Sequence, residues 1–323
     1  MCSQHSVVAA LLCCLSCTSA FAEISNCTPI SMLPTVISKP GIYCLMGDLG
    51  FTQVKAGATP SVPKYGIEID ADHVTLDLNG WRIDGRSLGL AKSIETVAVH
   101  AVDHIDITVR NGSIVGFKSA IWLDALSFAK DGTVAHLVEG IHAYGNAHGG
   151  ITVWGNGSTI RNNRVAHTGG ATGLITAIIS VGAGNRVLNN DVDDVLDDCT
   201  TGTVSLAAKG IDSRGDNVIV AGNRVTNVTS YADDAIGIIH SGNHVVIAEN
   251  RVLGANAKAT SSGIVSQPAY LSDNAAAVIR DNVVMGYSLG ILMTGGAVYS
   301  GNNVFGAFFP YSGGTGHGTT NTP

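Results

Sequence analysis

The amino-acid sequence predicts an all-β solenoid, a single-stranded right-handed parallel β-helix of about nine coils behind an N-terminal cap. Three observations predict it. The first is an asparagine that returns ahead of a small apolar pattern. It does so in Asn163-Arg164-Val165, Asn190-Asp191-Val192, Asn223-Arg224-Val225, Asn250-Arg251-Val252, Asn282-Val283-Val284 and Asn302-Asn303-Val304. The second is a Gly or Ala followed by Ile some twelve or thirteen positions earlier: Gly150-Ile151, Ala177-Ile178, Gly210-Ile211, Gly237-Ile238 and Gly290-Ile291, with Gly263-Ile264 ahead of a longer insert. The third is that short runs alternate with period two while no stretch of useful length shows a helical period. Unequal spacing around a constant pattern describes one coil repeated, with insertions confined to its turns.

Along the chain, residues 1–22 contain no Lys, Arg, Asp or Glu, hold the apolar run Val7 to Leu15, and end in Ala20-Phe21-Ala22. They are expected to be a signal peptide, which places the protein in the secreted or periplasmic space. The run is too short to span a bilayer. Residues 23–60, with Pro29, Pro34, Pro40 and Pro60, are expected to cap the first coil. The solenoid is assigned to 61–310. It opens on Gly66-Ile67-Glu68-Ile69-Asp70, Val74-Thr75-Leu76-Asp77-Leu78-Asn79 and Ile83-Asp84-Gly85, three short strands that make one coil. In the second coil, Asp103-His104-Ile105 echoes Asp72-His73-Val74 and Asn111 takes the asparagine position. In the third, Glu139 stands where that asparagine is expected. Residues 311–323, rich in Gly and Thr, are assigned to a mobile tail.

Composition narrows the function. A net charge of −7 with only 18 Lys plus Arg gives no support for nucleic-acid binding. Four of the seven cysteines fall before residue 23. Of the rest, Cys27 and Cys44 are expected to pair as a disulfide in an exported chain, leaving Cys199 odd. Stacked coils put like residue above like, so Val and Ile columns form the core. A buried turn asparagine can then hydrogen-bond along its own column.

The stretches Cys27-Thr28-Pro29-Ile30, Pro40-Gly41-Ile42-Tyr43 and Ile67 to Gly80 resemble exported bacterial right-handed β-helix proteins of the pectin-lyase-like group, over roughly residues 27–306. The resemblance implies the fold. It implies no single activity, since that group includes lyases, hydrolases, epimerases and members with no known reaction. Gly316-His317-Gly318 is similar to a motif of β-helix polygalacturonases, without that family's companion Asp motifs.

Chemistry is sought on the outer face of the Gly-led strand. If Ile67 and Ile69 point in, alternation puts Glu68, Asp70, His100, Trp122, Asp124, Thr152, Trp154, Asp212 and Arg214 outward. Carboxylates beside exposed Trp suit a polysaccharide, as acceptors for hydroxyls and a flat face for a pyranose ring. A hydrolase or lyase reading makes His100 the acid/base, its pKa raised by Glu68, Asp70 and Asp124. Glu68 and Asp70 would stand about 6.5–7 Å apart, near the inverting glycosidase spacing. Trp122 and Trp154 are then the sugar platforms, with Asp212 and Arg214 as further substrate contacts. The plainer alternative is a solvated polar sheet face. A second acidic group, Asp193, Asp194, Asp197 and Asp198 with Asp233 and Asp234 one coil later, is the candidate for Ca²⁺, against a turn-rich acidic edge with no EF-hand or nonapeptide spacing. His73, His104 and His244 fall at turns and are expected to be structural. Further up the column, Ile239, Val265 and Leu292 mark the apolar site of a protein partner if the chain is instead a non-enzymatic surface or periplasmic scaffold.

Overall fold

The structure, a computed structural model, describes residues 26–51, 63–88, 95–125, 132–170, 174–198, 207–231, 234–254, 260–268 and 276–316. The expected signal segment 1–22, Cys199, Asp233 and His317 lie outside the described residues.

Every rung starts from residues that favour extended backbone, and the described strands form two sheets, one of eleven strands and one of twenty. The eleven-stranded sheet climbs rung by rung from Thr35–Ile37 to Phe309–Ser312, each strand parallel to its neighbours. The twenty-stranded sheet makes the other two faces. The long strands Ile107–Val115 and Leu137–Tyr144 pair with different neighbours along their two halves and so join those faces. A parallel β-helix is the result. Among the described residues the one helical element is the single 3-10 turn Arg86–Leu88, and no helix is long and apolar enough to cross a membrane.

The described parts of the two segments expected to flank the solenoid, residues 26–51 and 311–316, pair into its sheets. Thr35–Ile37 pairs with Tyr65–Ile69, and Thr28–Ile30 pairs with Gly41–Leu45, which pairs with Val74–Asp77. Pro29 fits because its strand lies at the sheet edge, where a missing N–H forfeits no ladder bond. At the other end, Phe309–Ser312 and Thr315–Gly316 continue the sheets above Leu289–Met293 and Val298–Ser300. Cys27 and Cys44 are joined, with their Cα atoms 5.8 Å apart.

The asparagines form a buried ladder. Asn223 Nδ2 donates to Asn250 Oδ1 and to Val187 O, while Asn223 Oδ1 accepts from Asn190 Nδ2 and from the Asn190 backbone N–H. Asn163 through Asn302 repeat this, each 2% exposed or less. The lower coils depart from expectation. Ile141 N–H donates to Asn163 Oδ1 and lies opposite Gly112, so Gly112 and Ile141 hold the ladder position. Asn111 sits one place earlier at φ 59°, the left-handed residue of the turn, which Gly140 supplies in the next rung at φ 63°. The Asp-His echo is likewise offset. Val74 pairs with Ile107, so His73 Nδ1 meets Asp106 Oδ2 at 3.0 Å.

The Gly-Ile signal has a packing cause. Ala98, Ala120 and Ala177 are fully buried and carry no ladder bridge, and so are the Val99, Ile121 and Ile178 that follow them. A methyl added at Gly150, Gly210, Gly237, Gly263 or Gly290 would collide with Cγ1 of Val165, Val225, Val252, Val284 or Val304. Two successive residues therefore point inward, and the smaller one abuts the valine two places after the ladder asparagine. The two repeated patterns of the sequence are the two sides of one contact.

Candidate functional site

That inward pair shifts the alternation by one residue at the start of each strand. After it, the outer face follows the expected parity. Glu68, His100, Trp122, Thr152, Ile179, Asp212, Ile239, Val265 and Leu292 lie in one continuous register. The next outward column holds Val102, Asp124, Trp154, Val181, Arg214, Ser241 and Gln267. Before the pair, the shift brings Tyr65 outward, where period-two counting would bury it.

Tyr65 is the residue that sequence reasoning missed. Its ring stacks on His100 with centroids 3.8 Å apart and planes 7° from parallel, and Lys64 Nζ lies 5.1 Å from the Tyr65 centroid. The stack half-buries His100. Burial, helped by the Lys64 charge, pushes its pKa down to about 4. The expected shift was upward, and the geometry explains the reversal. Asp70 is turned away, with Oδ1 3.3 Å from His104 Nε2, and Asp124 stands one rung up in the neighbouring column. Of the three carboxylates grouped with His100, Glu68 stands directly opposite it in the ladder, while Asp70 and Asp124 share the face without converging on it. The His100 imidazole is neutral at pH 7.

The platforms do come together. Trp122 and Trp154 have ring centroids 6.0 Å apart at 54°, and Asp124 lies directly opposite Trp154 in the ladder. Trp154 Nε1 is buried with no partner among the described residues. Where the chain enters the strands, Lys118 Nζ pairs with Glu95 Oε2, and burial together with the Lys118 charge lowers the His148 pKa. At the N-terminal end of the face, Pro34, Thr35, Val36, Pro63, Lys64, Tyr65 and Glu68 line an apolar depression of ≈ 400 Å³. His104, expected to be structural, is fixed between Asp72 and Asp70 through its two ring nitrogens at 3.0 and 3.3 Å.

Higher up, the face closes. Asp212 is 1% exposed, held by Lys209 Nζ at 2.8 Å and by Arg214 Nη2 at 2.7 Å. Burial pushes its carboxyl up, but the Arg214 and Lys209 contacts outweigh this and hold it below the usual range. The Asp212 carboxylate is thus taken up by Arg214 and Lys209. Ile239 and Val265, expected to be open to a protein partner, are 8% and 6% exposed. They form a small apolar cluster with Ile236, packed against Ala207 and Leu292.

The acidic group assigned to Ca²⁺ is dispersed. Asp194 Oδ2 meets His167 Nδ1 at 2.6 Å, and Asp193 accepts from Thr226 and Asn227. Asp197 is buried, with Ser230 Oγ 3.1 Å from its Oδ2. Asp198 and Asp234 are exposed, and Asp233 lies outside the described residues. Among the described residues no three His, Cys, Asp or Glu side chains are placed to hold a metal ion.

No protein-family model and no curated protein matches the chain. Solved structures similar to it include a catalytic domain of GH87 alpha-1,3-glucanase in complex with tetrasaccharides, at 12% identity and TM-score 0.47, covering 91% of this chain and 62% of that one. An alginate lyase from Paenibacillus sp. str. FPU-7 matches at 16% identity and TM-score 0.48, over 90% and 99% of the two chains. The catalytic unit of a GH87 alpha-1,3-glucanase from Streptomyces thermodiastaticus strain HF3-3 matches at 13% identity and TM-score 0.43, over 90% and 64%. The chain thus spans less than two thirds of the glucanase domains' length, and likeness of this order says nothing about activity.

Proposed function

We propose that the protein is exported and binds a polysaccharide on the outer face of its eleven-stranded sheet. The observation that carries this reading is the Trp122–Trp154 pair, two large rings 6.0 Å apart on an outward face beside Asp124. Flat apolar rings next to hydroxyl acceptors are the chemistry of sugar recognition. The crowded Tyr65–His100 stack extends the same surface downward. If the bound chain is also cleaved, by hydrolysis or elimination, His100 acts as base and not as acid at neutral pH, because burial keeps it unprotonated. Glu68, Asp70 and Asp124 then supply carboxylates around the sugar. No step is assigned to Ca²⁺.

The test is a panel of neutral and anionic glycans offered to the protein with and without Ca²⁺, read for binding and for bond cleavage. Trp122→Ala and Trp154→Ala should each weaken binding by about tenfold, about 1.4 kcal/mol. Cleavage, where seen, should be lost in His100→Ala. Binding that survives loss of both tryptophans would place the glycan elsewhere. No binding to any glycan would favour the non-enzymatic scaffold, which the burial of Ile239 and Val265 deprives of its apolar docking site.

A further inference from the structure

We infer that this face takes an uncharged glycan laid along the solenoid axis, about one sugar ring to a rung, from Tyr65 to Trp154. The inference rests on the glycan-binding reading and names its substrate class. Strands Tyr65–Ile69, Val97–Val102, Ser119–Asp124 and Gly149–Trp154 are successive neighbours, and each contributes one planar ring: Tyr65, His100, Trp122 and Trp154. Rungs about 4.8 Å apart spread these rings over roughly 14 Å. A chain crossing the strands meets the stacked Tyr65–His100 pair and then the Trp122–Trp154 pair. Above the run the face is buried from Asp212 through Ile239 and Val265, and at its lower end Tyr65 and Glu68 line an apolar depression with Pro34, Val36 and Pro63.

Charge selects the sugar. Along the run from Tyr65 to Trp154 and its edges the described acids are Glu68, Asp70, Asp72, Glu95, Asp103 and Asp124, against Lys64 and Lys118; Lys118 is paired with Glu95, and higher on the face Arg214 and Lys209 are paired with Asp212. Burial pushes the His100 pKa down to about 4 and lowers that of His148, which disfavours positive charge on both rings. The surplus is negative. It repels the carboxylate of a uronate and leaves hydroxyls, which carboxylates accept as hydrogen-bond donors, unopposed.

Calorimetry at pH 7 on the full chain decides it, with neutral hexose oligosaccharides and uronate oligosaccharides from di- to hexasaccharide as probes, at low and at physiological salt. The neutral series should bind at least about tenfold more tightly than the uronate series at low salt, with the gap narrowing as salt screens the field. Affinity should level off near the tetrasaccharide. Glu68→Gln together with Asp70→Asn should narrow the gap, and both positions tolerate the change because they are outward. Equal or tighter uronate binding that still depends on Trp122 would overturn this inference and leave the glycan reading standing. Affinity that keeps rising to the hexasaccharide would overturn the one-ring-per-rung placement. No binding by either series would overturn both the inference and the reading beneath it.

Discussion

Tyr287 shows how a single residue can depart from its surroundings. It is 1% exposed, yet its hydroxyl has no hydrogen-bond partner among the described residues, and burial pushes its pKa up. Glycines make the room. A Cβ at Gly254 would lie 3.1 Å from the Tyr287 ring, and one at Gly237 3.2 Å from its hydroxyl. An unpaired buried hydroxyl costs about 1–3 kcal/mol. Tyr287→Phe should therefore leave the thermal midpoint unchanged or raise it, and a clear fall would mean that the hydroxyl is bonded, for instance to a buried water. Asn223 is the opposite case. Its side chain donates to Val187 O and Asn250 Oδ1 and accepts twice from Asn190. Asn223→Ala strands several of these groups at once and should cost about 3 kcal/mol or more in urea unfolding. A loss under about 1 kcal/mol would show that the ladder heals around a missing step.

The rung is the element on which the fold depends, and its defining contact is Gly against Val across the coil. Gly150→Ala would drive a methyl into Val165 and to within 2.6 Å of the Ala177 carbonyl, and should cost about 1–3 kcal/mol. Val165→Ala in the same chain should recover part of that loss, because one of the two collisions disappears. Additive losses in this double-mutant cycle would dissociate the two residues. The same contact explains what could be read from the chain and what could not. Glu68, His100, Trp122 and Asp212 were placeable because every strand after the Gly-Ile pair keeps strict alternation. Tyr65 was not, because the pair turns two successive residues inward and breaks the count just beside it. The ladder was legible from Asn163 upward, where an asparagine marks each turn. It was misplaced at Asn111 and Glu139, because Gly112 and Ile141 fill the ladder without an asparagine to mark it. Solvent access was invisible to spacing. Parity puts Asp212 and Ile239 outward, but only three-dimensional packing buries them on that side.

At the scale of the whole molecule, buried imidazoles give the solenoid a pH sensitivity that no single rung reveals. His136 and His240 are 1% and 0% exposed, in different rungs, and burial lowers each to about 4 from an ordinary 6.5. His136 Nδ1 accepts the Ile107 N–H, a role open only to the neutral ring. His240 Nδ1 faces Ser213 Oγ at 3.3 Å. The unfolded chain binds protons at these histidines below about pH 6.5, and the folded chain resists until about pH 4. Stability should thus be complete above pH 6.5 and drain away as pH falls towards 4. Each histidine accounts for roughly 3 kcal/mol at the acid limit. Because the two are far apart in the chain and share no partner, their losses should add. Asp72 and Asp84, held below the usual carboxylate range by a backbone N–H from Ile105 and by the Arg86 guanidinium, contribute in the same direction at lower pH. Urea midpoints measured from pH 7.5 down to 4.5 should therefore hold to about pH 6.5 and fall steadily below it, ahead of the carboxylates. His240→Gln should start lower at pH 7.5 and show a shallower slope, since one titrating group is gone. A midpoint that holds level from pH 6.5 to 4.5 would mean that water reaches these rings and that the core is not the dry column its valines and isoleucines describe.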